Sequence, residues 1–327
     1  MKKKITILFL SLFIFPLNVI AYSNKIIPGG KTIGITVKTP GVMVVGFYKI
    51  NGKYNKANPE LRLGDYIIKI NDTNISSVDD LVNVIDTYNN EEDITITYLR
   101  NKVEKKTKLK LIEVDGKYKT GIYIKDSVTG IGTLSYIDPE SKVYGALGHE
   151  IQESNSKEKI EIDTGNIFKN IITSITRSTD GNPGSKNAKF YNNNLYGDIK
   201  KNSKYGIYGL YSSKYSLDEA LEVKKLSEVK LGKAYIRTVT KGEDVKEYEI
   251  EITNINKSSK LKSISFDVTD KELLDKTGGI VQGMSGSPII QDGYLIGAVT
   301  HVIVDNVTSG YGVSIITMLD EGDRLVN

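Results

Sequence analysis

The chain has 327 residues, of which 39% are apolar and 26% charged, with no cysteine and only two histidines, His149 and His301. This excludes wholesale disorder, a collagen-like repeat, a multi-span membrane protein, a disulfide framework, cysteine-ligated metal and a thiol nucleophile. The formal charge is +4, but Lys2, Lys3 and Lys4 carry three of it. Without residues 1–21, 41 basic residues face 40 acidic ones, too even a balance for a phosphate-backbone binder.

The length suits about two domains of ~150 residues each. The N-terminal lysines are followed by an apolar run from Ile5 to Ile20 and then Ala21. That order is expected of a secretory signal peptide, or of a signal-anchor if it is not cleaved, and implies export. Gly29-Gly30 and Pro40-Gly41 punctuate two strand-like runs, Ile33–Val37 and Val42–Phe47. Leu63-Gly64-Asp65 leads into a strand at Tyr66–Asn71. Ser76 or Ser77 can cap a helix whose apolar face is Val78, Leu81, Val82 and Ile85. Ile94–Leu99 and Leu109–Val114 alternate as further strands around Arg100-Asn101-Lys102.

This order resembles a PDZ domain over residues 26–114. In PDZ domains the strand after a glycine-bearing loop accepts an extended peptide at its free edge. The matching peptide-binding stretch is Thr32, Ile33, Gly34 and Ile35.

Asp115-Gly116 turns into a second unit, 117–327, in which short strand-like runs alternate with Gly, Asn and Asp. Such spacing predicts an all-β sandwich or barrel. Leu217–Leu226 is the best candidate for an amphipathic helix. Gly283-Met284-Ser285-Gly286-Ser287-Pro288 precedes a strand-like run. A serine between glycines suits an acyl-transfer nucleophile. The glycines allow a tight turn, and the N–H groups of Gly283 and Ser285 can form an oxyanion hole. The pattern resembles the nucleophile loop of chymotrypsin-like serine proteases, not the strand-to-helix elbow of α/β-hydrolases.

A serine needs a base at neutral pH. His149, in Gly148-His149-Glu150 after a strand-like run, is favoured over His301, which in an apolar strand reads as a hydrogen-bonded structural side chain. Asp270 is a candidate orienting carboxylate, with Asp163, Asp180 and Asp267 as competitors. Thr269-Asp270-Lys271-Glu272 equally has the form of a capping box opening a short helix that stops at Gly278.

Taken together, Ile27-Pro28-Gly29-Gly30, Gly130-Ile131-Gly132-Thr133-Leu134, Gly145-Ala146-Leu147-Gly148-His149 and the Gly278–Ile290 block resemble the stage IV sporulation protein B serine peptidases of endospore-forming bacteria. Asn182-Pro183-Gly184 and Tyr205-Gly206-Ile207-Tyr208-Gly209 add to the likeness.

The resemblance implies a mainly β chain, a PDZ domain (α+β) followed by a chymotrypsin-like double β-barrel serine peptidase domain. It implies a triad at His149, Asp270 and Ser285, with no metal and no cofactor. It further implies a sporulation signalling protease in the space between the two forespore membranes. The expected substrates are the enzyme itself and an inhibitory membrane-protein partner of an intramembrane protease, whose release drives late sigma-factor processing. A non-catalytic PDZ adaptor and a general secreted PDZ-bearing serine protease are the competing expectations.

Overall fold

The computed structural model of the chain describes residues 22–55, 60–87 and 93–326. The expected export segment at 1–21 lies outside the described residues. No helix among the described residues is long and apolar enough to cross a membrane.

The chain begins with β1 (Lys25–Pro28) and β2 (Thr32–Phe47). The two runs expected on either side of Pro40-Gly41 are one long strand. Proline removes one ladder donor there, and the register with the neighbouring strand shifts opposite it, between Lys125 and Ser127. Beyond that kink, β2 pairs with β3 (Tyr66–Ile70), which pairs with β4 (Ile94–Arg100). Between them lies α1 (Val78–Asp86), capped by Ser77, whose hydroxyl accepts from Asp80 N–H while its own N–H donates to the Asp80 carboxylate. Leu81 and Ile85 point into a core with Val42, Val44, Ile67 and Ile96, whereas Val82 is exposed.

The hairpin partner of β4 is β5 (Val103–Leu109), not the expected 109–114. Asn101 and Lys102 both adopt positive φ, as a two-residue hairpin turn demands, and this starts the return strand at once. β5 is a lysine-rich edge strand whose exposed face hides the apolar alternation.

Next come β6 (Ile122–Ile137), β7 (Val143–Ala146), β8 (Thr164–Thr176), β9 (Ser185–Asp198) and β10 (Gly206–Leu210). They form a sheet in the order β9-β8-β2-β6-β7-β10. An antiparallel bridge from Gly197 to Tyr211 brings its two ends together. The result is a six-stranded barrel filled by Ile33, Ile35, Val37, Ala146, Ile167 and Ile207.

The second barrel is closed in the order β11-β12-β13-β16-β15-β14. Its strands are β11 (Gly232–Val239), β12 (Val245–Ile255), β13 (Ile264–Val268), β14 (Pro288–Gln291), β15 (Tyr294–Ile303) and β16 (Asn306–Ser314). Ile236, Ile250, Phe266, Ile289 and Ile296 fill it. α2 (Lys271–Thr277) links β13 towards β14, and α3 (Ile315–Asp323) packs Met318 against Tyr136 and Tyr208 of the first barrel.

The helix expected at Leu217–Leu226 is absent, and Leu217 is exposed. The chain is mainly β, with two barrels beside a PDZ unit, as expected.

Two strands cross from one unit into the other. β6 pairs with β2 from Ile122↔Phe47 to Thr133↔Thr32. The first half of β2 is thus a stave of the first barrel, with β6 on one edge and β8 on the other. This corrects the expectation for the peptide groove. Ile33, Gly34 and Ile35 offer no open edge, because Ile35 pairs with Gly130 on one side and Ile167 on the other and its two neighbours do likewise, while Thr32 pairs with Thr133 of β6.

Candidate active site

Ser285 lies in the loop before β14, where the second barrel meets β6 of the first. Thr133, fully buried on β6, fixes this loop. Its N–H donates to the Ser285 carbonyl at 2.9 Å, and its hydroxyl donates to the Gly283 carbonyl at 2.7 Å. The approach requires glycine at 286. That residue has φ +94°, and a Cβ there would sit 2.0 Å from the Thr133 oxygen.

The same bonding aims the two amides of the loop. The Gln282 carbonyl accepts from Lys186 N–H at 2.9 Å, and the Met284 carbonyl accepts from Ser287 N–H at 2.9 Å. Across each trans peptide the following N–H, of Gly283 and Ser285 respectively, points the opposite way. Neither N–H has a hydrogen-bond acceptor among the described residues. A pair of unsatisfied donors beside a serine hydroxyl is what a developing oxyanion needs.

His149 reaches the same place from the first barrel. Leu147 holds φ +71°, and Gly148 N–H donates to the Ala146 carbonyl at 2.9 Å, a tight γ-turn that a bulky residue adopts only under strain. The turn carries His149 out of β7. Its Nδ1 lies 2.8 Å from the Glu150 carbonyl. A carbonyl only accepts, so the proton sits on Nδ1 and Nε2 keeps its lone pair. Burial pushes the imidazole below its ordinary 6.5, against a smaller opposing effect of Glu150. The ring is therefore neutral at pH 7, the form a general base requires.

His149, Ser285 and Gly283 line one pocket of about 250 Å³, together with Gly130, Ile131 and Leu147. The Ser285 hydroxyl donates to the Thr300 carbonyl at 3.0 Å and is not bonded to His149.

The structure does not bring Asp270 to His149. Asp270 caps α2, with Oδ1 accepting from Leu273 N–H at 2.9 Å and Oδ2 from Glu249 N–H at 3.3 Å. The capping alternative is the one realised, with Asp270 itself as N-cap rather than Thr269. The competitors are also placed elsewhere. Asp267 accepts from the Ser309 hydroxyl, Asp180 from Val307 N–H, and no hydrogen bond or ion pair joins Asp163 to either histidine. The acid next to His149 is Glu150, whose backbone, not its carboxylate, orients the ring.

His301, on β15, is close to the site but differs from its expected reading. Its ring centroid is 5.2 Å from that of His149, tilted by 40°, and its Nδ1 is buried without a partner. Burial, His149 and Lys262 push it down to about 4. Thr133, Glu150 and Thr300 were not singled out from the sequence. Thr133 acts across the two barrels, Thr300 through its carbonyl on the strand beside the serine loop and Glu150 through its own backbone carbonyl, contacts that no local motif records.

The chain matches the family model for the SpoIVB peptidase S55 over residues 116–319 and that for a PDZ domain over residues 32–111. No curated protein matches it. Among solved structures, the PDZ domain of the SdrC-like protein from Listeria monocytogenes is 23% identical, covering 27% of this chain and 90% of that one, with a TM-score of 0.23. Human heparin binding protein is 12% identical, covering 57% of this chain and 75% of that one, with a TM-score of 0.30.

Proposed function

Because the chain belongs to the SpoIVB peptidase S55 family, and so is a serine peptidase carrying a PDZ domain, we propose that it is a signalling endopeptidase of sporulation using Ser285 and His149. The observation that carries the assignment of residues is the shared pocket. One neutral imidazole, one serine hydroxyl and two unsatisfied amides converge there from different barrels.

The Ser285 side chain turns from the Thr300 carbonyl towards Nε2 of His149. His149 removes the hydroxyl proton as Oγ attacks the peptide carbonyl, and the N–H groups of Gly283 and Ser285 receive the oxyanion. The imidazolium then gives its proton to the leaving amine. Water, deprotonated by the same ring, hydrolyses the acyl-enzyme. Throughout, the Glu150 carbonyl keeps the proton on Nδ1, the part that an aspartate plays in the familiar triad.

In the cell the proposed substrates are the enzyme itself and a membrane-protein regulator of an intramembrane protease. Their cleavage in the space between the forespore membranes would release late sigma-factor processing. Family membership and the lysine-then-apolar sequence at residues 1–21 support this role and address.

Two measurements test the proposal. A fluorophosphonate probe labels Ser285 in the wild type and leaves Ser285→Ala unlabelled, and N-terminal clipping seen by mass spectrometry disappears in the variant. Identical clipping in both would assign that cut to another protease. Exhaustive digestion of denatured casein, in place of a few discrete cuts, would favour a general degradative protease.

A further inference from the structure

Directly behind the nucleophile loop lies a lysine that the chemistry above leaves unused. Lys186, on β9, is 3% exposed. Its backbone N–H is the donor to the Gln282 carbonyl, and its stem runs under Gly283. A Cβ on Gly283 would stand 3.1 Å from the lysine Cδ and 3.3 Å from its Cβ. The ammonium ends on two hydroxyls, Thr238 Oγ1 at 2.8 Å and Thr32 Oγ1 at 3.3 Å. Hydroxyls can accept from an ammonium and donate to a neutral amine, so this pocket suits both forms.

Among the described residues no carboxylate pairs with it. Thr32 faces it from β2 and Thr238 from β11, while Ile131 of β6 and Gly283 flank its stem and Ile175 of β8 is its register partner. The neighbouring cation Arg237 is turned outward to Glu219 at 2.6 Å. Burial alone acts on the amine and brings it down to about 7.

An unpaired lysine is expensive to bury, and a charge in a low-dielectric interior acts more strongly on its surroundings than one in water. Here the nearest place where charge changes during the reaction is the pair of amides on the other side of Gly283. We propose that Lys186 is an electrostatic positioning residue of the peptidase, holding the Gly283 amide in place and, when charged, stabilising the oxyanion through it. The proposal rests on the reading of Ser285 as nucleophile and adds a requirement to it. Activity needs His149 neutral and Lys186 protonated, two demands that bracket neutrality from opposite sides.

The test is the rate of fluorophosphonate labelling of Ser285 in the full chain across acid, neutral and alkaline pH. In the wild type the rate rises as His149 loses its proton and falls again as pH passes the Lys186 value of about 7. Lys186→Met, with its fold checked by near-ultraviolet circular dichroism, labels about tenfold more slowly at neutral pH and loses the alkaline fall. That drop is smaller than the ~10²–10³-fold expected for removing a direct oxyanion donor. Lys186→Arg keeps the neutral rate and moves the fall to higher pH.

A wild type with no alkaline fall, or a folded Lys186→Met with the same fall, overturns the proposal. If Lys186→Met does not fold, the wild-type curve is compared with the NMR titration of the buried Nζ. Coincidence supports the role and divergence overturns it. Absence of labelling at every pH would instead remove the serine-nucleophile reading itself.

Discussion

The two histidines behave as a pair held neutral by their surroundings. His301 drops from an ordinary 6.5 to about 4, through burial first and then His149 and Lys262. His149 is lowered as well, again chiefly by burial. Between pH 6.5 and 4 the unfolded chain therefore binds more protons than the folded one, and stability must fall as the medium is acidified through that window. A thermal-melt series should show this decline in the wild type and a shallower one in His301→Gln. An equal slope in both would assign the loss to other groups. The sequence made both histidines visible, and the turn residues around His149 identified the better base. It could not show that a strained γ-turn at Leu147 and a bulge in β15 bring the two rings side by side at a tilt, because that contact joins residues from separate barrels.

At the scale of elements, α2 illustrates how one local pattern supports two readings. Thr269-Asp270-Lys271-Glu272 is a helix start whether or not its aspartate also serves the site. The structure gives both Asp270 oxygens to backbone N–H groups, of Leu273 and Glu249. Asp270→Ala should thus lower stability by about 1 kcal/mol, the usual worth of an N-cap, measurable by urea denaturation. No change in the denaturation midpoint would mean that the cap is dispensable. The short strands of the second barrel were legible because each is bounded by Gly, Asn or Asp. The strand at 103–109 was missed because edge-strand lysines erase alternation, and α3 because its start continues the apolar run of β16. Pairing partners were the least legible of all. Nothing in Ile33–Ile35 announces that both of its edges are taken.

For the molecule as a whole, the sequence divides at Asp115-Gly116, yet the peptidase fold reaches back before that turn. β1 pairs with the end of β6, and β2 supplies a stave between β6 and β8. A fragment starting at residue 117 lacks that stave and leaves Ile167 and Ile207 without Ile33, Ile35 and Val37. It should be unable to form the first barrel, and the fluorophosphonate probe should leave its Ser285 unlabelled, whereas a chain starting at residue 22 retains both. A folded and labelled 117–327 fragment would show that the second barrel organises the site unaided.

One strand joins the two units directly. On β6, Asp126 accepts the N–H of Val78 at the head of α1, and Thr133 clamps the serine loop. Seven residues of strand separate these points, a span of roughly 23 Å. No pliable linker intervenes along that path. The start of the helix and the serine loop are consequently fixtures of one continuous strand, held at a set spacing from each other.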